Sequence, residues 1–81
     1  MKLYIGNLPY STDDAALKAL FEQFGTVVSA SVITDRATGR SKGFGFVEFE
    51  NAEDAKKAMA EMNESEVEGR TIKVDEARPR Q

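Results

Sequence analysis

The chain can be read outward from one segment, KGFGFVEF, which runs from Lys42 to Phe49. Its phenylalanines, valine and short length mark it as a β-strand. Side chains of a strand alternate between faces, so Phe44, Phe46 and Glu48 share one side and Gly45, Val47 and Phe49 the other. Turning the first set inward would bury the Glu48 carboxylate without a partner. That costs more than the roughly 1.5–3 kcal/mol a buried phenylalanine returns. Val47 and Phe49 therefore face the core, and Phe44 and Phe46 face out beside Glu48. Gly45, on the inner side, lets a helix approach closely, and Gly43 suits a turn or a close backbone approach at the start of the strand.

The same parity extends to the other strands. In KLYIGNL, residues 2–8, Leu3 and Ile5 go in and Tyr4 goes out with Lys2. In TVVSASVIT, residues 26–34, Ala30 and Val32 go in, leaving Ser31 and Ile33 outside. In TIKVDEA, residues 71–77, Ile72 and Val74 go in, leaving Thr71, Lys73 and Asp75 outside. Between the strands lie two helical stripes at i, i+3, i+4, i+7: Leu17, Leu20, Phe21, Phe24, and Ala55, Ala58, Met59, Met62. Ser11 or Thr12 is expected to cap the first helix, with Asp13 and Asp14 in its first turn and Gly25 as its stop. Asn51 is expected to cap the second, with Asn63 ending it in a left-handed conformation. Asp35 to Lys42 forms a basic hairpin loop, and Glu68-Gly69-Arg70 a turn.

The order β-α-β-β-α-β, with right-handed crossovers, gives an α+β, ferredoxin-like fold: a four-stranded antiparallel sheet with both helices on one face. The first and third strands are central, so Tyr4, Phe44 and Phe46 cluster on the open face, flanked by Lys2 and Lys73. A cluster of exposed rings is a binding surface, and such rings stack on nucleic-acid bases.

Composition narrows the functional classes. One domain spans residues 1–81, with its core in 2–77 and a short tail at 78–81. No cysteine and no histidine are present, which removes disulfides, thiolate metal sites and the commonest general base. No apolar run approaches the roughly 18 residues of a membrane span, and a cytoplasmic protein is expected. The net charge of −3 argues against a nucleic-acid partner when taken alone. Its distribution qualifies that: residues 50–68 hold seven acids and two bases, and the rest of the chain is net positive.

All eight positions of KGFGFVEF match Lys/Arg-Gly-Phe/Tyr-Gly/Ala-Phe-Val-x-Phe/Tyr, the RNP1 signature, and LYIGNL, residues 3–8, is similar to the companion RNP2 element. The chain thus resembles the RNA recognition motif (RRM) family over residues 2–78. Within it the resemblance is to short single-domain bacterial RNA-binding proteins and, less closely, to plant glycine-rich ones. It starts one residue before the first strand's lysine, as a stand-alone small protein or an excised domain would. The resemblance implies single-stranded RNA as partner, no cofactor, no metal and no catalytic residue. It makes Tyr4, Phe44 and Phe46 the stacking aromatics and Lys42 a contact to phosphate or base edge. Arg36 and Arg40, with Lys42, would grip the backbone from the loop. Asn7 would order the following loop as much as touch RNA, and Glu76, Ala77 and Arg78 would close over the bases. Lys2 and Lys73 are the remaining phosphate contacts.

Two departures stand out. Glu64 follows Asn63 where family members commonly place glycine, and Glu48 and Asp75 put negative charge on the RNA face. The acid-rich run of residues 50–68 is expected on the far side, where it would repel RNA and suit a basic protein partner. The competing classes are a protein-interaction module on the same fold and an acylphosphatase-like enzyme. The intact aromatic set argues against the first, and the absence of a phosphate-cradling loop with a catalytic asparagine or arginine against the second. A monomer is expected, and single-stranded DNA stays open as an alternative ligand because discrimination rests on 2′-hydroxyl contacts.

Overall fold

The computed structural model describes residues 1–77; Arg78 and the rest of the tail lie outside the described residues. Five elements come in the expected order: β1 (Lys2–Gly6), α1 (Asp14–Glu22), β2 (Val27–Thr34), β3 (Ser41–Phe49) and α2 (Ala52–Met62). The fourth strand of the sheet is shorter than expected. It is preceded by a two-stranded ribbon, so the chain continues as β4 (Glu66–Val67), β5 (Arg70–Thr71) and β6 (Lys73–Glu76).

The sheet has the order β2-β3-β1-β6 and is antiparallel throughout. Alternation does what parity requires: Leu3, Ile5, Val47, Phe49, Ile72 and Val74 are buried, while Glu48 is exposed. Leu17 and Phe21 of α1 and Ala55, Ala58 and Met62 of α2 join that same cluster. Both helices therefore cover one face and leave the other open. Leu20, Phe24 and Met59 of the two stripes, and Ala30 and Val32 of β2, pack at its margin. A Cβ at Gly45 would run first into the backbone carbonyl of Ser31 on β2, and would also stand 3.1 Å from Leu17 Cδ2 of α1. Phe21 and Phe49 meet edge to face at 6.3 Å and 72°.

The caps differ from the sequence expectation. Asp13, not Ser11 or Thr12, caps α1: its backbone is extended, and its Oδ1 accepts the Ala16 N–H at 2.8 Å. Ser11 is engaged elsewhere, its hydroxyl donating to Glu68 Oε2 at 2.9 Å, and Thr12 is buried. Asn51 is the N-cap of α2 by backbone position, but its side chain makes no capping hydrogen bond. Gly25 lies beyond the α1 C-cap, Gln23, and is not in the left-handed region. Asn63 is extended at the end of α2, and the left-handed turn falls one residue later, on Glu64 at φ 65°. The Asn63 side chain has another partner: its Oδ1 accepts the Val74 N–H at 3.1 Å on edge strand β6. Asp14 Oδ1 does the same for Val32 N–H at 2.6 Å on the opposite edge strand, β2. Side chains from the helix ends thus occupy polar groups on both sheet edges, which otherwise invite pairing with another chain.

Candidate nucleic-acid interface

The register brings the open-face aromatics together. Tyr4 pairs with Phe46, and Gly6 with Phe44, across the central strands. The ring centroids of Tyr4 and Phe44 are 5.8 Å apart, those of Tyr4 and Phe46 5.8 Å, and those of Phe44 and Phe46 6.4 Å. The pairs are tilted or edge-to-face, the arrangements aromatic quadrupoles favour. Tyr4 keeps 37% of its surface exposed, while Phe44 and Phe46 are half-buried by their neighbours. Ring faces are thus offered to solvent from a backbone that hydrogen bonds hold on both sides.

The predicted cations fall into three situations. Lys2 holds its Nζ 4.9 Å from the Phe46 ring centroid, at the edge of the aromatic cluster. Lys73 pairs with Gly6 in the register, and its Nζ meets Glu64 Oε1 at 3.1 Å, the one ion pair found among the described residues. Glu64 therefore reaches back to the rim of the open face, whereas the acidic run as a whole was expected on the far side. Arg40 from the loop and Lys42, which lies on β3 and not in the loop as expected, line a groove that also includes Phe44. Arg36 is exposed in the same loop but does not line that groove.

That loop is built to hold a shape. Asp35 N–H donates to Arg40 O and Gly39 N–H to Asp35 O, both at 2.7 Å, and Asp35 Oδ1 accepts the Ala37 N–H at 2.8 Å. Gly43 follows at φ 84°, a conformation costly for residues with a Cβ, and its carbonyl accepts the Leu8 N–H at 2.7 Å. This contact ties the loop between β1 and α1 to the start of β3. Two negative groups also lie on the face: Glu48 opposite Lys2, and Asp75 opposite Tyr4. Asp75 Oδ1 accepts its neighbour's N–H, from Glu76, at 2.8 Å.

Asn7 has both ends of its amide engaged. Its Nδ2 donates to Thr71 O, and its Oδ1 accepts from Arg70 Nη2 at 2.8 Å. Its backbone is left-handed at φ 61°, which asparagine tolerates better than most residues. Here it fastens the β4–β5 ribbon to the end of β1. Two residues beside it escaped the sequence reading. Tyr10 is exposed and lines the groove with Phe44, and the Arg70 guanidinium lies 5.3 Å from the Tyr10 ring centroid. Both sit on irregular or very short segments, where no periodicity separates an outward residue from an inward one.

Residues 3–73 match the profile of the RNA recognition motif. The chain is 52% identical over 79 residues to "Glycine-rich RNA-binding protein 2, mitochondrial" of Arabidopsis thaliana, covering 98% of this chain and 50% of that protein. A solved structure described as RNA binding protein PG1 superposes with a TM-score of 0.94 at 49% identity, covering 100% of this chain and 98% of the other. One described as a Sxl-lethal protein/RNA complex superposes with a TM-score of 0.93 at 32% identity, over 99% of this chain and 48% of the other. The chain spans about half the length of curated relatives such as these plant glycine-rich proteins. Fold, strand order, signature residues and profile agree, and the chain belongs to the RNA recognition motif family.

Proposed function

We propose that this protein is a non-catalytic binder of single-stranded RNA. Bases stack on Tyr4, Phe44 and Phe46, and Arg40, Lys42, Lys2 and, outside the pair with Glu64, Lys73 meet the phosphates. Arg36 adds charge at the loop, Asn7 acts by holding the ribbon, and Arg78 would follow the strand from the tail. The observation that carries the reading is the triad of rings within 5.8–6.4 Å of one another on a face that no helix covers. Each stacked base is worth about 1–3 kcal/mol by alanine substitution. The relatives named for RNA binding, and the RNA complex among the similar structures, support the same reading.

The test is a fluorescence-anisotropy titration of a short single-stranded RNA pool against wild type and the Phe44→Ala/Phe46→Ala double variant. Wild type should bind with an affinity that falls as salt rises, and the double variant should lose at least an order of magnitude. Equal binding by the two proteins would sink the proposal. A matched deoxyoligonucleotide in the same titration separates RNA-selective binding from general single-strand binding, which turns on 2′-hydroxyl contacts.

We infer that the protein is a cytoplasmic monomer. Among the described residues no helix is long and apolar enough to cross a membrane. The acidic side of α2 would repel RNA and, by charge, suit a basic protein partner.

A further inference from the structure

Strand register lays out the open face in rows that run across the sheet. In the middle row Tyr4 and Phe46 are neighbours, with Ser31 outside Phe46 on β2 and Asp75 outside Tyr4 on β6. Both flanking residues are exposed. The two rings, 5.8 Å apart, thus keep different company. A hydroxyl donates and accepts, whereas a carboxylate only accepts. Neither folding nor charge accounts for Asp75. Strands disfavour aspartate, and a carboxylate on this face repels phosphate. No ion pair engages it among the described residues, since Lys73 beside it is paired with Glu64. Its Oδ1 accepts the Glu76 N–H at 2.8 Å, which steadies the group on its strand and leaves Oδ2 and one lone pair of Oδ1 for a ligand. Glu48, the other carboxylate of the face, lies in the next row, opposite Lys2.

We propose that Asp75 is a specificity-determining residue that selects guanine for the base stacked on Tyr4. The inference rests on the RNA-binding reading of the sheet. Directly opposed residues of an antiparallel pair have Cβ atoms about 4.5–5.5 Å apart, so a base lying on the Tyr4 ring brings its edge within reach of the carboxylate. Unpaired bases offer their Watson–Crick edges for such reading. Guanine alone presents two adjacent N–H donors there, on N1 and N2, and the two oxygens of a carboxylate can accept both. The amino groups of adenine and cytosine sit beside a ring nitrogen that accepts, and the uracil N3–H lies between two carbonyls. Each of these sets a lone pair against the carboxylate. Asp75 therefore weakens the hold on most single strands and strengthens it for one base. Phe46, with the hydroxyl of Ser31 beside it, takes any base.

The experiment uses the full 81-residue chain and a set of short oligouridylates carrying one guanosine at each position in turn, read by anisotropy for wild type, Asp75→Asn and Phe44→Ala/Phe46→Ala. For wild type, guanosine at one position should raise affinity about 10-fold over the all-uridine strand. Inosine at that position, which lacks the N2 amino group, should lose most of the gain. Asp75→Asn keeps the size of the side chain and replaces an acceptor by a donor. It should bind the all-uridine strand at least as well as wild type and show no guanosine gain; a role confined to the fold would move both strands together and leave their ratio intact. If guanosine raises affinity at no position, or inosine or Asp75→Asn keeps the full gain, the inference is overturned, while weaker binding of the all-uridine strand by Phe44→Ala/Phe46→Ala would still stand for the sheet. If wild type binds no strand of the set, both readings fall together.

Discussion

The two faces of the central strands use the same kind of residue for opposite ends. On one face Phe49 is 1% exposed and packs against Phe21 under the helices. On the other, Phe44 and Phe46, five and three residues earlier on the same strand, are only half-buried. The backbone hydrogen bonds are shared, so the strand does not distinguish the two sets. What distinguishes them is which side the helices cover, and that is settled by the charged neighbours: Glu48 and Lys2 can be solvated only on the open side. An aromatic on the covered face contributes to folding, and one on the open face has its apolar surface still to bury, which is the condition for binding.

The widest gap between the faces should appear on truncation. Phe49→Ala removes a fully buried ring, and such changes cost about 3–5 kcal/mol. A domain of this size has on the order of 4–12 kcal/mol in total. Urea unfolding should show a large drop in midpoint, with RNA binding lost only in step with the folded fraction. Phe44→Ala and Phe46→Ala should each cost about 1–3 kcal/mol in RNA affinity. Their effect on stability should be nearer the 0.5–1.5 kcal/mol of a lost aromatic pair. If either open-face variant destabilised the fold as much as Phe49→Ala, the division of labour between the faces would be wrong.

That division was legible because it rests on a period of two and a single carboxylate, Glu48, whose burial is prohibitive. The helical stripes were legible for the same reason at a period of 3.6. The misplacements fall where no period exists. Ser11, Thr12 and Asp13 are all good capping residues; Asp13 takes the cap while Ser11 donates to Glu68, 57 residues away in sequence, a partner no local pattern announces. The β4–β5 ribbon has strands of two residues each, too short to alternate, and only the turn between them, at Glu68 and Gly69, left a signal. The role of Asn7 was half visible: its position implied an ordering function, but its partners Arg70 and Thr71 come from that unseen ribbon. Tyr10 escaped because an exposed aromatic in a loop is ordinary until its neighbours are known.

The loop cations give a smaller and more discriminating test. Arg40, at the end of the loop, and Lys42, at the start of β3, line the groove beside Phe44, whereas Arg36, in the loop, does not. Each phosphate contact on a single strand adds roughly 0.7 to the slope of log affinity against log salt. Arg40→Ala and Lys42→Ala should each flatten that slope by about this amount and weaken all sequences alike, and Arg36→Ala should change it less. Titrations at several salt concentrations check this. Equal slopes for all three variants would mean that the loop acts as a diffuse charge rather than through the groove.

The smallest expected effect concerns Glu64, where fold and interface meet. Its backbone sits at φ 65°, a conformation that costs a side-chain-bearing residue about 1–2 kcal/mol, and its carboxylate holds Lys73 at the rim of the open face. The pair is solvent-exposed, and such pairs contribute about 0–1 kcal/mol, so it stabilises the fold little. Under the proposed function its consequence for binding is larger in kind: while paired with Glu64, Lys73 would be kept from phosphate. Two substitutions separate these roles. Glu64→Gln keeps the backbone cost and removes the charge, so the salt slope for RNA should steepen by about 0.7 with stability nearly unchanged. Glu64→Gly removes both, and after the entropy glycine loses on folding it should also gain about 0.5–1 kcal/mol in urea unfolding. A Gln variant with an unaltered slope would place Lys73 outside the RNA track. The glutamate would then matter only for the turn, where its loss in the Gly variant should still register as added stability.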